Sequence, residues 1–420
     1  MAILLKNISI ADSDKDMLIE GGFIKKIEPA GSCVSWDLAG DLESVDCSGK
    51  VAIPGFVNMH CHAAMALMRG VGEDIKFSEW LDKIWKLESH IDAEFVYRSA
   101  RVACLEMIKS GTSTFNDQYW HFRSTMQAAK ELGIRPALGY DIMDRGDKAE
   151  AEKEKEQCAA LYEQYKDFPT YVLSFHAIYS VSEEMMLWAA DFARKHNLRL
   201  HIHLSETRGE VENCKARHGG LTPVEYLQEL GILGPNLIAA HTLWLTEHDI
   251  ELLGTNRVNC VHNINSNAKI CSGYRFLFNE LKAAGANLCL GTDGCASSNN
   301  LDMMEAMKTA SLFQKAWRDD PAALPLDEVL AMAGPNGAKA LGLNTGRLEE
   351  GAIADIAIVD TGNSYFLSPA PFKANLIHSA HSDCIDSLIC NGRFVMRHRE
   401  VPGEEEILSE ARQELKKLII

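Results

Sequence analysis

Between residues 51 and 294 the chain repeats one pattern: a short apolar or alternating run that ends in a titratable side chain. The runs are VAIPGFVNMHCH, GTSTFND, RPALGYDI, YVLSFHAI, LRLHIHLSE, NLIAAHTL, RVNCVHNIN and NLCLGTDG. Their terminal groups are His60 with His62, Asp117, Asp141, His176, His203 with Glu206, His241, His262 and Asp293. Most runs are separated by segments of helical period, such as AEFVYRSARVACLEMIKS and EEMMLWAADFARKH. Alternation of this kind predicts a (β/α)8 TIM barrel, which carries its chemistry at the C-terminal ends of its strands. A doubly wound sheet usually has fewer strands and a Gly-rich phosphate loop after the first, and no such loop is visible. Any one polar ending reads as a cap or turn residue, but a series in one register does not.

The two chain ends have a different texture. AILLKNISIA and DMLIEGGFIKKIEP alternate around turns, with Gly21-Gly22 as a hairpin signal. Near the other end, ADIAIVD reads as a strand and DSLICNGRFVMRHRE as a hairpin turning at Asn391-Gly392. GEEEILSEARQELKKL has helical spacing.

His60 and His62 lie two apart on a predicted strand, so both rings point to the same face. His201 and His203 do likewise in HIHLSE; His203, nearer the mouth, is the expected third ligand, and His201 a hydrogen-bonded core histidine one layer deeper. Direct coordination by His60, His62, His203 and Asp293 is expected, with His241 either joining the metal or orienting a water from behind it. Imidazole and carboxylate ligands with one open position suit a single Zn2+ per subunit, and the donor types equally suit Fe2+ or Mn2+. A two-metal site commonly needs a modified lysine at the end of the fourth strand, where SFHAIYS offers His176 and no lysine.

A bound zinc brings the pKa of its water to roughly 7. Glu206 follows His203 by three residues, where strand gives way to loop, and is placed to shuttle a proton to a substrate. Glu206, His241 and Asp293 are therefore the candidate catalytic residues, and hydrolytic deamination is the reaction they suit. The zinc deaminase class with an H-x-E…P-C-x-x-C signature is a different one, since the chain has no C-x-x-C pair. A non-enzymatic scaffold on the same barrel should have broken ligands, whereas every expected position is filled.

The formal net charge of −17 argues against nucleic acid or an anionic membrane as a partner. The N-terminal run is too short for a secretory signal and acids follow it at once. Twelve scattered cysteines then read as reduced thiols, and the expected compartment is the cytoplasm.

PGFVNMHCHAAMALMRG, HLSET, AAHTLWLTE and LGTDGCASSNNLDMMEAMKTASLFQKA resemble the amidohydrolase superfamily, and within it the methylthioadenosine/S-adenosylhomocysteine deaminases and their close relatives. The resemblance runs from about Lys50 to Asp360. It implies a barrel over residues 55–347, with a small discontinuous β-sandwich made from residues 1–54 and 348–420. It implies an adenine nucleoside as substrate: methylthioadenosine, 5′-deoxyadenosine, adenosine or S-adenosylhomocysteine. Glu88 falls where these deaminases hold ribose hydroxyls, and His176 where they place a substrate-contacting histidine. Trp80 is a candidate wall of the pocket. The chain departs from the family at Ile264, where relatives commonly have proline, although His262, Asn263, Ser266 and Asn267 remain. It also has Tyr140 where relatives that bind the homocysteine carboxylate have an arginine; Arg145 is the nearby substitute candidate for substrate binding. A substrate without an amino-acid tail gains weight from that difference. Guanine, triazines and other aminated or halogenated heterocycles are the alternatives on the same barrel. The resemblance also suggests a homo-oligomer.

Overall fold

The structure is a computed structural model that describes residues 2–36 and 41–417; residues 1, 37–40 and 418–420, which belong to the expected end unit, lie outside the described set. The eight runs form eight strand positions: β1 (Phe56–Cys61), β2 (Thr112–Asp117), β3 (Arg135–Ala137 continued by Asp141–Ile142), β4 (Val172–Ala177), β5 (Arg199–Leu204), β6 (Leu237–His241), β7 (Asn259–His262) and β8 (Asn287–Leu290). Each pairs in parallel with its neighbours from β1 through to β8. Only parallel strands linked by helices produce that order, and the family of folds is the (β/α)8 barrel.

Two places needed glycine for the barrel to form. At β3 the strand breaks around Gly139, where a Cβ would run into the Val172 carbonyl. The barrel closes where Thr292 N and Asp293 N donate to His60 O at 3.1 and 2.9 Å. Gly291 lets that seam approach, since a Cβ there would lie 2.9 Å from the backbone of His60. At the opposite, N-terminal end, Val57, Ala137, Val172, Ile238, Val261 and Cys289 pack with Ala338 and Leu341 of the helix Pro335–Leu341. The interior is thus plugged below and open only at the mouth. Connecting helices start on side-chain caps, as where Asp92 accepts from Phe95 N at 2.9 Å and Ser182 from Met185 N at 3.3 Å.

Reading VAIPGFVNMHCH as one run joins two strands that the structure separates. Lys50–Pro54 pairs antiparallel with Ile356–Asp360, and the barrel strand begins only after Gly55. Strands from both chain ends form one eight-stranded sheet, with both hairpins turning at the expected Gly21-Gly22 and Asn391-Gly392. Its inner residues, among them Leu5, Met17, Ile24, Ala52, Ile356 and Ile389, share one core, so the sheet folds over itself as a small sandwich.

A buried ion pair ties sandwich to barrel. The Arg135 guanidinium on β3 bonds the carboxylate of Asp355, and also Asn391 and Thr114 Oγ1, the last at 2.9 Å. Asp355 is filled from its other sides by Thr345 Oγ1 at 2.7 Å and Asn391 N at 2.8 Å. Removing one partner leaves a buried charge uncompensated. Asp355→Ala is expected to destabilise the chain by about 3–5 kcal/mol, read as a lowered urea midpoint; an unchanged midpoint would show that the pair carries no stability.

Candidate active site

The eight strand ends do not all face one point. Asp117 turns aside, its Oδ1 accepting from Ala63 N at 2.7 Å and so capping the turn after β1. Asp141 accepts from Gln118 Nε2 at 3.1 Å in an outer layer. His262 lies flat on Phe276, ring centroids 4.4 Å apart. The remaining groups converge. His60, His62 and Asp293 form one set, and His60, His203 and His241 another, each with its ligand atoms within 4.8 Å of one another.

Their tautomers are set by what lies behind them. His62 Nδ1 donates to Gln118 O at 2.6 Å and His203 Nδ1 to His176 O at 2.8 Å. A carbonyl can only accept, so Nδ1 of each ring carries its proton and Nε2 turns inward. Those two Nε2 atoms lie 3.3 Å apart, and Asp293 Oδ1 stands 3.2 Å from His62 Nε2 and 3.5 Å from His60 Nε2. His60 Nδ1 bonds Nε2 of His201 at 3.0 Å, which puts His201 in the deeper layer expected of it.

Burial pushes His60 down to about 4 and His203 well below the ordinary imidazole range. Both are therefore neutral donors at pH 7. Burial also opposes charge on His62, but the adjacent Asp293 carboxylate outweighs it and lifts His62 to about 9, so its Nε2 holds a proton toward Asp293 that a bound metal would displace. Asp293 resists burial through its histidine partners and stays ionised, well below the carboxylate range.

These residues fit a metal ion. His60 Nε2 is fully buried without a hydrogen-bond partner, and the inward Nε2 atoms of His62 and His203 crowd one another. Three imidazole nitrogens and a carboxylate oxygen around such a gap are a donor set that suits zinc.

The backbone is held in an unusual state here. Ser205, His241, Thr242 and Asp293 all have left-handed φ, at 52°, 76°, 46° and 62°, and none is glycine. Residues strained in this way persist where surrounding contacts overdetermine them, and such places concentrate at functional sites.

Above the cluster lies a cavity that opens to solvent. Its floor includes His62, His203, His241 and Asp293, and Glu206 and His176 flank it. The helix α1 (Phe77–Glu88) supplies one wall through Trp80, Ile84, Trp85 and Glu88. Burial raises Glu206 above the ordinary carboxylate pKa, and its Oε2 sits 3.8 Å from His241 Nε2. His176, pushed down to about 3 by burial, holds Ser180 Oγ at 2.7 Å. Glu88 is buried and accepts a 2.7 Å bond from Tyr119 OH. Arg145 does not line this cavity; its exposed side chain lies over Trp85, 5.5 Å from the ring centroid.

Sequence reasoning did not find Tyr119, Trp85 or Ser272, and it named Asn267 without a role. Trp85 had a legible signal, because positions 81, 84, 85 and 88 share one helical face with Glu88. Tyr119 had only its place two residues beyond the end of β2.

Residues 51–395 match the amidohydrolase family. The chain is 42% identical to a 5′-deoxyadenosine deaminase of Methanoregula boonei, over 98% of this chain and 93% of the relative. It is 38% identical to 5-methylthioadenosine/S-adenosylhomocysteine deaminase 1 of Archaeoglobus fulgidus, over 99% of each. An adenosine deaminase from Xanthomonas campestris, solved with bound zinc, superposes with a TM-score of 0.92 at 28% identity, covering 99% of this chain and 98% of that one.

Burial lifts Glu88 to about 7, and the Tyr119 hydroxyl works against that rise by bonding the ionised form. Tyr119→Phe should therefore move the Glu88 pKa higher still, as read by a pH titration of its carboxyl band in isotope-edited infrared spectra. A Glu88 that titrates in the ordinary range, or one that Tyr119→Phe leaves unmoved, would contradict the contact.

Proposed function

The chain belongs to the amidohydrolase family, and from that premise we propose that it hydrolytically deaminates an adenine nucleoside with a short, uncharged 5′ group, using one zinc ion. The observation that carries this reading is the convergence of His60, His62, His203 and Asp293 beneath a cavity whose wall holds the Glu206 carboxyl. The relatives named 5′-deoxyadenosine and methylthioadenosine/S-adenosylhomocysteine deaminases support the substrate class.

In this reading His60, His62, His203 and Asp293 hold the metal, which when bound supplies Lewis-acid activation of a water. Asp293 accepts a proton from the attacking water through its carboxylate. Glu206, a buried carboxyl with a raised pKa, is suited to both giving and taking a proton, and delivers one to the ring nitrogen beside the amine-bearing carbon. His241 sits against Glu206 and orients the attacking oxygen. Water and adenine nucleoside go in; the inosine analogue and ammonia come out. Glu88 binds the ribose hydroxyls, with the Tyr119 bond keeping it in place, and His176 is a further substrate contact. Trp80 and Trp85 exclude water from the cavity.

The shape of the charge favours a tail-less substrate. Among the described residues lining the cavity there is no lysine or arginine. The Tyr140 hydroxyl is committed to Gln157 Oε1 at 2.8 Å, and Arg145 is engaged on Trp85. A carboxylate or phosphate at the 5′ end would enter among acids with nothing to meet it. The barrel of residues 55–347 is the catalytic unit of this reading, with residues 1–54 and 348–420 as its flanking domain. Among the described residues no helix is long and apolar enough to cross a membrane. Twelve free cysteines suit the cytoplasm, and a homo-oligomer is the assembly by analogy with its family.

Two tests follow from these roles. With zinc-loaded protein, 5′-deoxyadenosine and methylthioadenosine should be turned over with much higher kcat/KM than S-adenosylhomocysteine. Release of ammonia from guanine, or of chloride from a chlorotriazine, without turnover of any adenosine derivative would overturn the reading. Second, His203→Ala should lose zinc together with activity, while Glu206→Gln should keep zinc by elemental analysis and lose about 10²–10⁴-fold in kcat. Near-normal turnover by Glu206→Gln would remove its role.

A further inference from the structure

The motif HNINSN, at the end of β7 and the start of the short helix α2 (Ile264–Lys269), stands directly behind His241. Asn267 is fully buried, and its Nδ2 lies 2.8 Å from His241 Nδ1 and 3.0 Å from Ser272 Oγ. Asn263 Nδ2 approaches the same His241 Nδ1 at 3.4 Å.

The direction of this chain follows from the Asn267 amide. An amide NH2 can only donate, so Asn267 Nδ2 gives one proton to the Ser272 hydroxyl and faces His241 Nδ1 with the other. His241 Nδ1 can then only be an acceptor. A neutral imidazole with a bare Nδ1 carries its proton on Nε2.

His241 is thereby the opposite tautomer of its neighbours. His62 and His203 have Nδ1–H on a backbone carbonyl and Nε2 left for a metal. His241 has a bare Nδ1 on an amide and an N–H directed back toward Glu206, whose Oε2 at 3.8 Å is beyond hydrogen-bond range. We infer that Asn267, oriented by Ser272, is a positioning residue that fixes His241 as an Nε2–H donor to the reacting oxygen and bars it from the metal. This inference rests on the deaminase reading for its consequence but not for its test.

Nitrogen-15 spectra of histidine-labelled, zinc-loaded protein read the tautomer directly, the His241 signals being assigned by their loss in His241→Asn. The expected result is one-bond coupling to hydrogen at Nε2 and none at Nδ1. In Asn267→Asp the new carboxylate accepts from Nδ1–H, so the coupling should move to Nδ1. Zinc content should stay at one per chain and kcat should fall by about 10²-fold with KM little changed. Ser272→Ala frees the amide to turn, and should give a mixture of the two tautomers. Coupling at Nδ1 in the unaltered protein would overturn the inference whatever the variants do, as would an Nε2–H that persists in Asn267→Asp. A failed substrate panel would leave the tautomer unchanged, so the two failures are separable.

Discussion

The controlling problem in this molecule is the burial of several imidazoles and a carboxylate at one barrel mouth. Each group taken alone is costly to desolvate, and four rings crowded together repel any shared positive charge. The protein manages this by giving every inward nitrogen a defined proton state from behind. Backbone carbonyls of Gln118 and His176 fix two rings, His201 backs a third, and the amide of Asn267 backs the fourth. Asp293 is anchored similarly, with Oδ2 accepting from Ser266 Oγ at 2.6 Å and Oδ1 from Gly294 N at 2.7 Å. What remains unpaired points to the centre, where a divalent cation would balance the charge.

That arrangement explains which parts of the site were legible in the sequence. Residues on strands are fixed by a period of two and by the rule that barrel chemistry lies at strand ends, so His60, His62, His203, His241 and Asp293 stand out from spacing alone. Asp117, Asp141 and His262 occupy equivalent strand-end positions and read the same, yet they cap a turn, bond an amide and stack on Phe276. The difference is orientation about the strand axis, which register shifts alter; the β1–β2 pairing slips between Asn58 and Cys61, immediately before the site. The residues that set tautomers were harder to see, because Asn267 and Ser272 reach the site from the segment following β7, whose path no period dictates.

The fold itself was legible for a related reason. Strand and helix periods alternate without a break through the barrel, and both hairpins of the flanking sheet carry their own turn residues. Two features escaped: the break of the third run around Gly139, and the joint at Pro54-Gly55, where one apolar run supplies a sandwich strand and then a barrel strand. The Arg135–Asp355 pair spans this same joint from the other side, anchoring the start of β3 to the sandwich. A barrel whose strand ends must hold several side chains in register benefits from a rigid frame at that point.

The rigid floor contrasts with a wall built from one helix. α1 brings Trp80, Trp85 and Glu88 to the cavity, yet it is secured to the opposite rim by few polar contacts, including Trp80 Nε1 to Ala296 O at 3.2 Å. Nearby, Glu73 meets Lys269 at 2.7 Å and Asn299 at 3.2 Å, so the segment before α1 is tied to the loops after β7 and β8. Lys269 belongs to the same short helix as Ser266 and Asn267. One element therefore touches the segment leading into the wall on its outer side and backs His241 on its inner side. The division follows from what each part must do: the floor keeps protons on assigned atoms, which demands rigidity, whereas the wall must admit a nucleoside and then exclude water, which demands contacts that can be exchanged.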